Sequence, residues 1–95
     1  MRICINSNFV IPGLVNGQFF DSDQSRLTLR EFLKELSEGA PTRVEYVQPG
    51  ANALDPDEWE VDVNGVPYQR CSNGLETLLK DGDTVTIRIL ALGGG

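Results

Sequence analysis

Residues 84–95 read Thr84-Val85-Thr86-Ile87-Arg88-Ile89-Leu90-Ala91-Leu92-Gly93-Gly94-Gly95, a strand pattern that runs straight into three glycines. Val85, Ile87 and Ile89 alternate with Thr84, Thr86 and Arg88, so the first set faces a core and the second faces out. The alternation predicts a strand over 84–90. Past Ile89 the sheet should end, yet Leu90-Ala91-Leu92 stays apolar. The glycines that follow carry no side chain and have high backbone entropy. At about 3.3 Å per residue, such a stalk threads a narrow channel in which any Cβ would clash. The reading that organises the chain is that Gly95 offers a C-terminal carboxylate on this stalk. The bland alternative is a frayed end, since a glycine run alone says little.

Working back from this strand, Lys80-Asp81-Gly82-Asp83 is a turn. Leu75, Leu78 and Leu79 fit one short helical turn between Cys71 and Lys80, closing an end of the core. Upstream lies a hairpin over 59–70. Trp59, Val61 and Val63 point one way, Glu60, Asp62 and Asn64 the other. Asn64-Gly65 supplies a type I′ turn and Val66 to Arg70 returns. Asp55, Asp57, Glu58, Glu60 and Asp62 form an acidic run. Its spacing is not that of a calcium loop, and Glu60 and Asp62 alternate with core residues, so it reads as a solvated patch suited to a basic partner. Residues 42–57 hold Pro49-Gly50 and Asp55-Pro56 and read as an irregular connection, with Arg43 to Val47 a candidate short strand and room for a helical turn.

The clearest local signal is at 27–39. Thr28 with Glu31 three residues on is a capping box, and Leu27 and Phe32 occupy the hydrophobic-staple positions. Leu29, Phe32, Leu33 and Leu36 recur at i, i+3, i+4 and i+7 and form one apolar stripe. Gly39 and Pro41 end the helix. At the N-terminus, Met1, Ile3 and Ile5 alternate with Arg2, Cys4 and Asn6 in a half-buried strand. Pro12-Gly13 and Asn16-Gly17 then compete as the turn into a second strand between Val10 and Asp21, and residues 21–25 read as a polar loop.

The 95 residues fit one domain, 1–90, followed by a flexible glycine tail at 91–95. With 14 acidic residues against 8 basic ones the net charge is −6, which disfavours nucleic acid as a partner. The two cysteines, Cys4 and Cys71, make neither a disulfide scaffold nor a zinc site, and there is no histidine to serve as general base or metal ligand. No catalytic constellation, bound cofactor or metal site is expected. No apolar run reaches the ~20 residues that span a bilayer. A reduced cytoplasmic protein with no membrane contact is the expectation.

The element order is ββαββ, a short turn, then β. One helix over a mixed four- to five-stranded sheet, with the last strand beside the first, makes an α+β fold of the ubiquitin-like β-grasp kind. Leu79-Lys80-Asp81-Gly82-Asp83-Thr84-Val85-Thr86-Ile87, followed by an apolar tripeptide and Gly94-Gly95, resembles the sulfur-carrier family. That family includes the small subunit of molybdopterin synthase and the sulfur carrier of thiamine biosynthesis. Val61-Asp62-Val63-Asn64-Gly65 is similar to its V-x-V-N-G hairpin, and the capped helix falls where the family has its helix.

The resemblance implies adenylation of Gly95 by a ubiquitin-activating-type enzyme using ATP, then a C-terminal thiocarboxylate made with sulfur from a sulfurtransferase or sulfide source. It also implies a sulfur-accepting synthase subunit that receives Gly93, Gly94 and Gly95 in its active site, with Leu90, Ala91 and Leu92 as docking contacts. A molybdopterin-type pathway is favoured. The third glycine and the long 42–58 connection depart from the family pattern and leave specialised pathways such as tungsten cofactor, cysteine or siderophore synthesis open. Two further readings also remain: a ubiquitin-like modifier joined to lysines through the same Gly94-Gly95, and a non-covalent interaction domain with inert glycines.

Overall fold

The computed structural model describes residues 1–8, 19–38, 46–47 and 50–90. Seven strands and one helix occupy them: β1 (Arg2–Ser7), β2 (Phe19–Asp21), β3 (Leu27–Thr28), α1 (Leu29–Glu38), β4 (Trp59–Val63), β5 (Val66–Pro67), β6 (Leu78–Leu79) and β7 (Thr84–Ile89). Five of the strands form a mixed sheet in the order β2-β1-β7-β4-β5. The last strand is therefore central. It runs parallel to β1, with Ile5 opposite Val85, and antiparallel to β4, with Val61 opposite Ile87. β3 and β6 pair separately, Leu27 against Leu79.

Alternation explains which side of the sheet is covered. Ile3, Ile5, Val61, Val85 and Ile87 are each at most 3% exposed and form one cluster with Leu29, Phe32, Leu33 and Leu36 of α1. At roughly 1.5–3 kcal/mol per buried aliphatic or aromatic side chain, this cluster is the main force holding helix to sheet. Phe20 meets Phe32 edge to face at 5.4 Å between ring centres, which ties the β2 edge to the helix. Across the connection to β4, Tyr46 packs on Trp59 at 4.8 Å, and burial pushes its phenol pKa up.

The capping box forms as its spacing demands. The Thr28 N–H donates to Glu31 Oε1 at 2.9 Å, and the Glu31 N–H to Thr28 Oγ1 at 3.1 Å. These bonds use donors that the first turn of a helix otherwise leaves unpaired. The Asn64-Gly65 turn has φ of 51° and 83°, the left-handed pair that a type I′ hairpin requires.

Several expectations are corrected. The strand returning from Asn64-Gly65 stops at Pro67, and Tyr68–Arg70 forms a 3-10 turn. This swings Tyr68 inward, where its hydroxyl accepts the Leu54 N–H at 2.9 Å. Leu75, Leu78 and Leu79 do not share one helical turn. Only Gly74–Glu76 is helical, and Leu78–Leu79 is strand β6, which leaves Leu79 buried and Leu78 45% exposed. The bond from the Leu29 N–H to the Thr77 carbonyl, 2.9 Å, adds to the β3–β6 pairing that draws this segment against the helix start. Ser22, inside the expected polar loop, is buried, and its hydroxyl donates to Glu35 at 3.2 Å. β7 ends at Ile89, not Leu90. Tyr46 and Val47 form no strand, and 43–45 lie outside the described residues, as do both glycine turns expected between 8 and 18. A helical turn does close the 50–58 connection: the Asp55 carbonyl accepts the Glu58 and Trp59 N–H groups at 3.1 and 2.9 Å.

Candidate functional site

The candidate site begins where β7 leaves the sheet, because the sequence runs from there to Gly95. Of the residues expected to act at this site, Leu90 is described. Ala91, Leu92, Gly93, Gly94 and Gly95 lie outside the described residues. Leu90 follows the last strand residue directly and is 47% exposed, one of four large apolar side chains left open to water among the described residues. A leucine this open on a strand end is available to a partner, although singly exposed apolar residues are common.

Its backbone is not free. The Leu90 N–H donates to the Glu58 carbonyl at 2.7 Å, one step past the Trp59–Ile89 pair of the β4–β7 ladder. On the opposite flank, β1 stops pairing at Ser7, opposite Ile87. There the Asn8 side chain continues the ladder. Its Oδ1 accepts the Ile89 N–H at 2.9 Å, and its Nδ2 donates to the Ile89 carbonyl at 3.1 Å. A carboxamide holds both an acceptor and a donor, so one side chain satisfies both polar groups of one residue, as a neighbouring strand would. No local pattern signals this role, since an asparagine after a strand reads first as a turn former.

Arg88 points to the uncovered face of the sheet. Its Nη1 reaches Glu60 Oε1 at 2.7 Å and Asp62 Oδ2 at 3.1 Å. Hydrogen bonds to Asp62 and then Glu60 hold the guanidinium pKa above its already high ordinary value. Two of the five acids in the 55–62 run are thus matched within the fold. A third, Asp55, accepts the Asp57 N–H on its Oδ1 at 2.9 Å and shapes the local turn. Among the described residues, no three histidine, cysteine, aspartate or glutamate side chains come together in a way that could hold a metal. Cys4 sits on the uncovered face between Phe19 and Thr84, half-buried, and Cys71 is half-buried with its thiol 3.7 Å from the Pro67 carbonyl; both thiols are free. A shallow hollow lined by Met1, Gln24, Ser25, Leu79, Lys80 and Asp81 lies at the other end of the sheet, beside the start of β7.

No family model, curated protein or solved structure matches the chain. The class that can be stated is an α+β fold whose mixed five-stranded sheet has its last strand at the centre, leading directly into the C-terminal segment. No helix among the described residues is long and apolar enough to cross a membrane.

Proposed function

We propose that the chain is a sulfur carrier with a ubiquitin-like β-grasp fold, whose working group is the carboxylate of Gly95. One observation carries the reading. The central strand of a helix-covered mixed sheet, parallel to β1, ends at Ile89, and the apolar Leu90-Ala91-Leu92 and the glycines follow at once. A side-chain-free segment rooted in the middle of a rigid sheet suits delivery of a terminal carboxylate into a partner's active site.

A carboxylate is a poor acyl donor to a sulfur nucleophile until it carries a leaving group. In the proposed sequence a ubiquitin-activating-type partner binds ATP, and a Gly95 carboxylate oxygen attacks its α-phosphorus. Pyrophosphate leaves and an acyl adenylate forms. Hydrosulfide from a sulfide source then adds to the acyl carbon and expels AMP, giving the thiocarboxylate and a proton. A sulfur-accepting synthase subunit receives Gly93 to Gly95. The thiocarboxylate sulfur bonds to an electrophilic carbon of the acceptor, and water then cleaves the acyl–sulfur bond, leaving the sulfur on the acceptor and restoring the Gly95 carboxylate. The catalytic groups belong to the partners, and this chain supplies the substrate group and the docking energy that orients it. The chain is accordingly a co-substrate without activity of its own, working in the cytoplasm, with a molybdopterin-type acceptor favoured.

Deleting Gly94 and Gly95 tests the proposal in the host. The truncated chain should unfold at the same temperature as the full chain, because no described hydrogen bond or core contact depends on those residues. It should also fail to restore growth to a strain lacking this chain under conditions that demand its pathway. Full restoration by the truncated chain would favour a non-covalent interaction domain. Diglycine remnants on lysines of other proteins would instead identify a ubiquitin-like modifier using the same acyl chemistry.

A further inference from the structure

A strand end that opens to solvent ordinarily frays. The end of β7 has two features that oppose fraying. The Asn8 carboxamide pairs with both backbone groups of Ile89 at 2.9 and 3.1 Å, and the Glu58 carbonyl holds the Leu90 N–H at 2.7 Å. Asn8 is exposed and stands outside the core cluster, and among the described residues both of its side-chain bonds go to this one residue. A side chain placed this way contributes little to global stability and much to the direction of the backbone it grips.

We infer that Asn8 is a positioning residue for the activation of Gly95, an inference that rests on the carrier reading. The rate at which a tethered carboxylate meets bound ATP depends on how closely its anchor fixes the place it can reach. With the clamp closed, Ile89 is held on the β1 side and Leu90 on the β4 side, five residues before Gly95 in the sequence. With Asn8 removed, Ile89 loses both of its backbone bonds on the β1 side, the last β7 residue paired on that flank becomes Ile87, and Leu90 is left held by the Glu58 carbonyl alone. The carboxylate then spends less of its time in line with the α-phosphate. The surface of the folded body before Ile89 is unchanged and Leu90 keeps its bond to Glu58, so the larger effect falls on the chemical step.

Two measurements on the full-length chain test this. The first is amide hydrogen exchange. Asn8→Ala should speed exchange at Ile89 about tenfold while Val85 and Ile87 exchange as before, the mark of local opening without global destabilisation. The second is ATP–pyrophosphate exchange with labelled pyrophosphate and the ubiquitin-activating-type enzyme of the source organism. Asn8→Ala should lower kcat about tenfold with KM within about twofold. Asn8→Asp, equal in size but lacking the donor, should lose kcat likewise; full kcat in Asn8→Asp would overturn the hydrogen-bond clamp as the cause. An Ile89 exchange rate unchanged by Asn8→Ala overturns the clamp. Normal kcat for Asn8→Ala, with the unaltered chain adenylated, overturns the positioning role and leaves the carrier reading standing. If the unaltered chain is never adenylated, the carrier reading fails and the inference fails with it.

Discussion

The two ends of β7 are built differently. At its start the backbone is held by a dense set of mutual bonds. Asp83 Oδ2 accepts the Lys80 N–H at 2.8 Å and Asp83 Oδ1 accepts from Asn64 Nδ2 at 3.1 Å. Asn64 Oδ1 accepts the Thr84 N–H at 2.9 Å, and the Thr84 carbonyl accepts the Asn64 N–H at 2.7 Å. The Cys4 N–H donates to the Asp83 carbonyl, the Gly82 N–H to the Arg2 carbonyl, and the Arg2 N–H to Asp81 Oδ1. Two turns and two strands are locked into one unit. At its finish, three hydrogen bonds beyond the ladders hold Ile89 and Leu90, two of them from Asn8. The start thus specifies the fold, and the finish directs the segment that follows. Bonds shared among several elements resist loss together, whereas a clamp from one side chain is removable alone.

The largest expected effect removes the strand common to both ends. Ile87 is fully buried at the sheet centre, so Ile87→Ala should cost about 3 kcal/mol through lost transfer energy and the cavity left behind. It should lower the urea midpoint and speed exchange at both ends of β7. Next comes the start of the strand. Asp83→Ala strips the acceptors from Lys80 and Asn64 and should cost about 1–2 kcal/mol, again as a global change in midpoint. Asn8→Ala at the finish should shift the midpoint by under about 0.5 kcal/mol, although it opens Ile89 locally. If Asp83→Ala and Asn8→Ala gave equal global losses, the two ends would not differ in kind.

The helix start offers a smaller, pH-dependent comparison. The Glu31 carboxylate accepts the Thr28 N–H, and its hydrogen bonds with Thr28, backbone first, hold its pKa below the ordinary glutamate range. A folded-state pKa below the unfolded one gives stability that is present above the unfolded value and is lost as pH falls through the folded one. Wild type should therefore exceed Glu31→Gln in thermal midpoint at neutral pH, and the gap should close once acidification passes the lowered folded pKa. A gap independent of pH would show that the carboxylate charge is not what the cap uses.

Local signals were legible in the sequence. The capping box, the Leu29-Phe32-Leu33-Leu36 stripe, the Asn64-Gly65 turn and the Val85-Ile87 alternation each depend on neighbours within a few residues. The central place of β7 was also within reach, because a long excursion frees a last strand to pair beside the first. The two-residue strand Leu78–Leu79 was not legible. Its pairing to Leu27–Thr28 is a tertiary contact, and two leucines carry no period. Buried Ser22 was hidden for a similar reason, since its partner Glu35 lies across the helix face. At the candidate site, Leu90 stood out in sequence as an apolar residue past the core alternation and is 47% exposed, while Asn8 escaped notice because its partner is 81 residues away.

The central claim is that Gly95 carries the chemistry. Its most direct test is the intact mass of the protein purified from its native host under conditions that preserve thioacids, with fragmentation to locate any change. The carrier account predicts a population in which one oxygen at the C-terminal carboxylate of Gly95 is replaced by sulfur, and no such change in a chain lacking Gly94 and Gly95. A terminus that is always an unmodified carboxylate, under conditions in which the pathway is running, would contradict it.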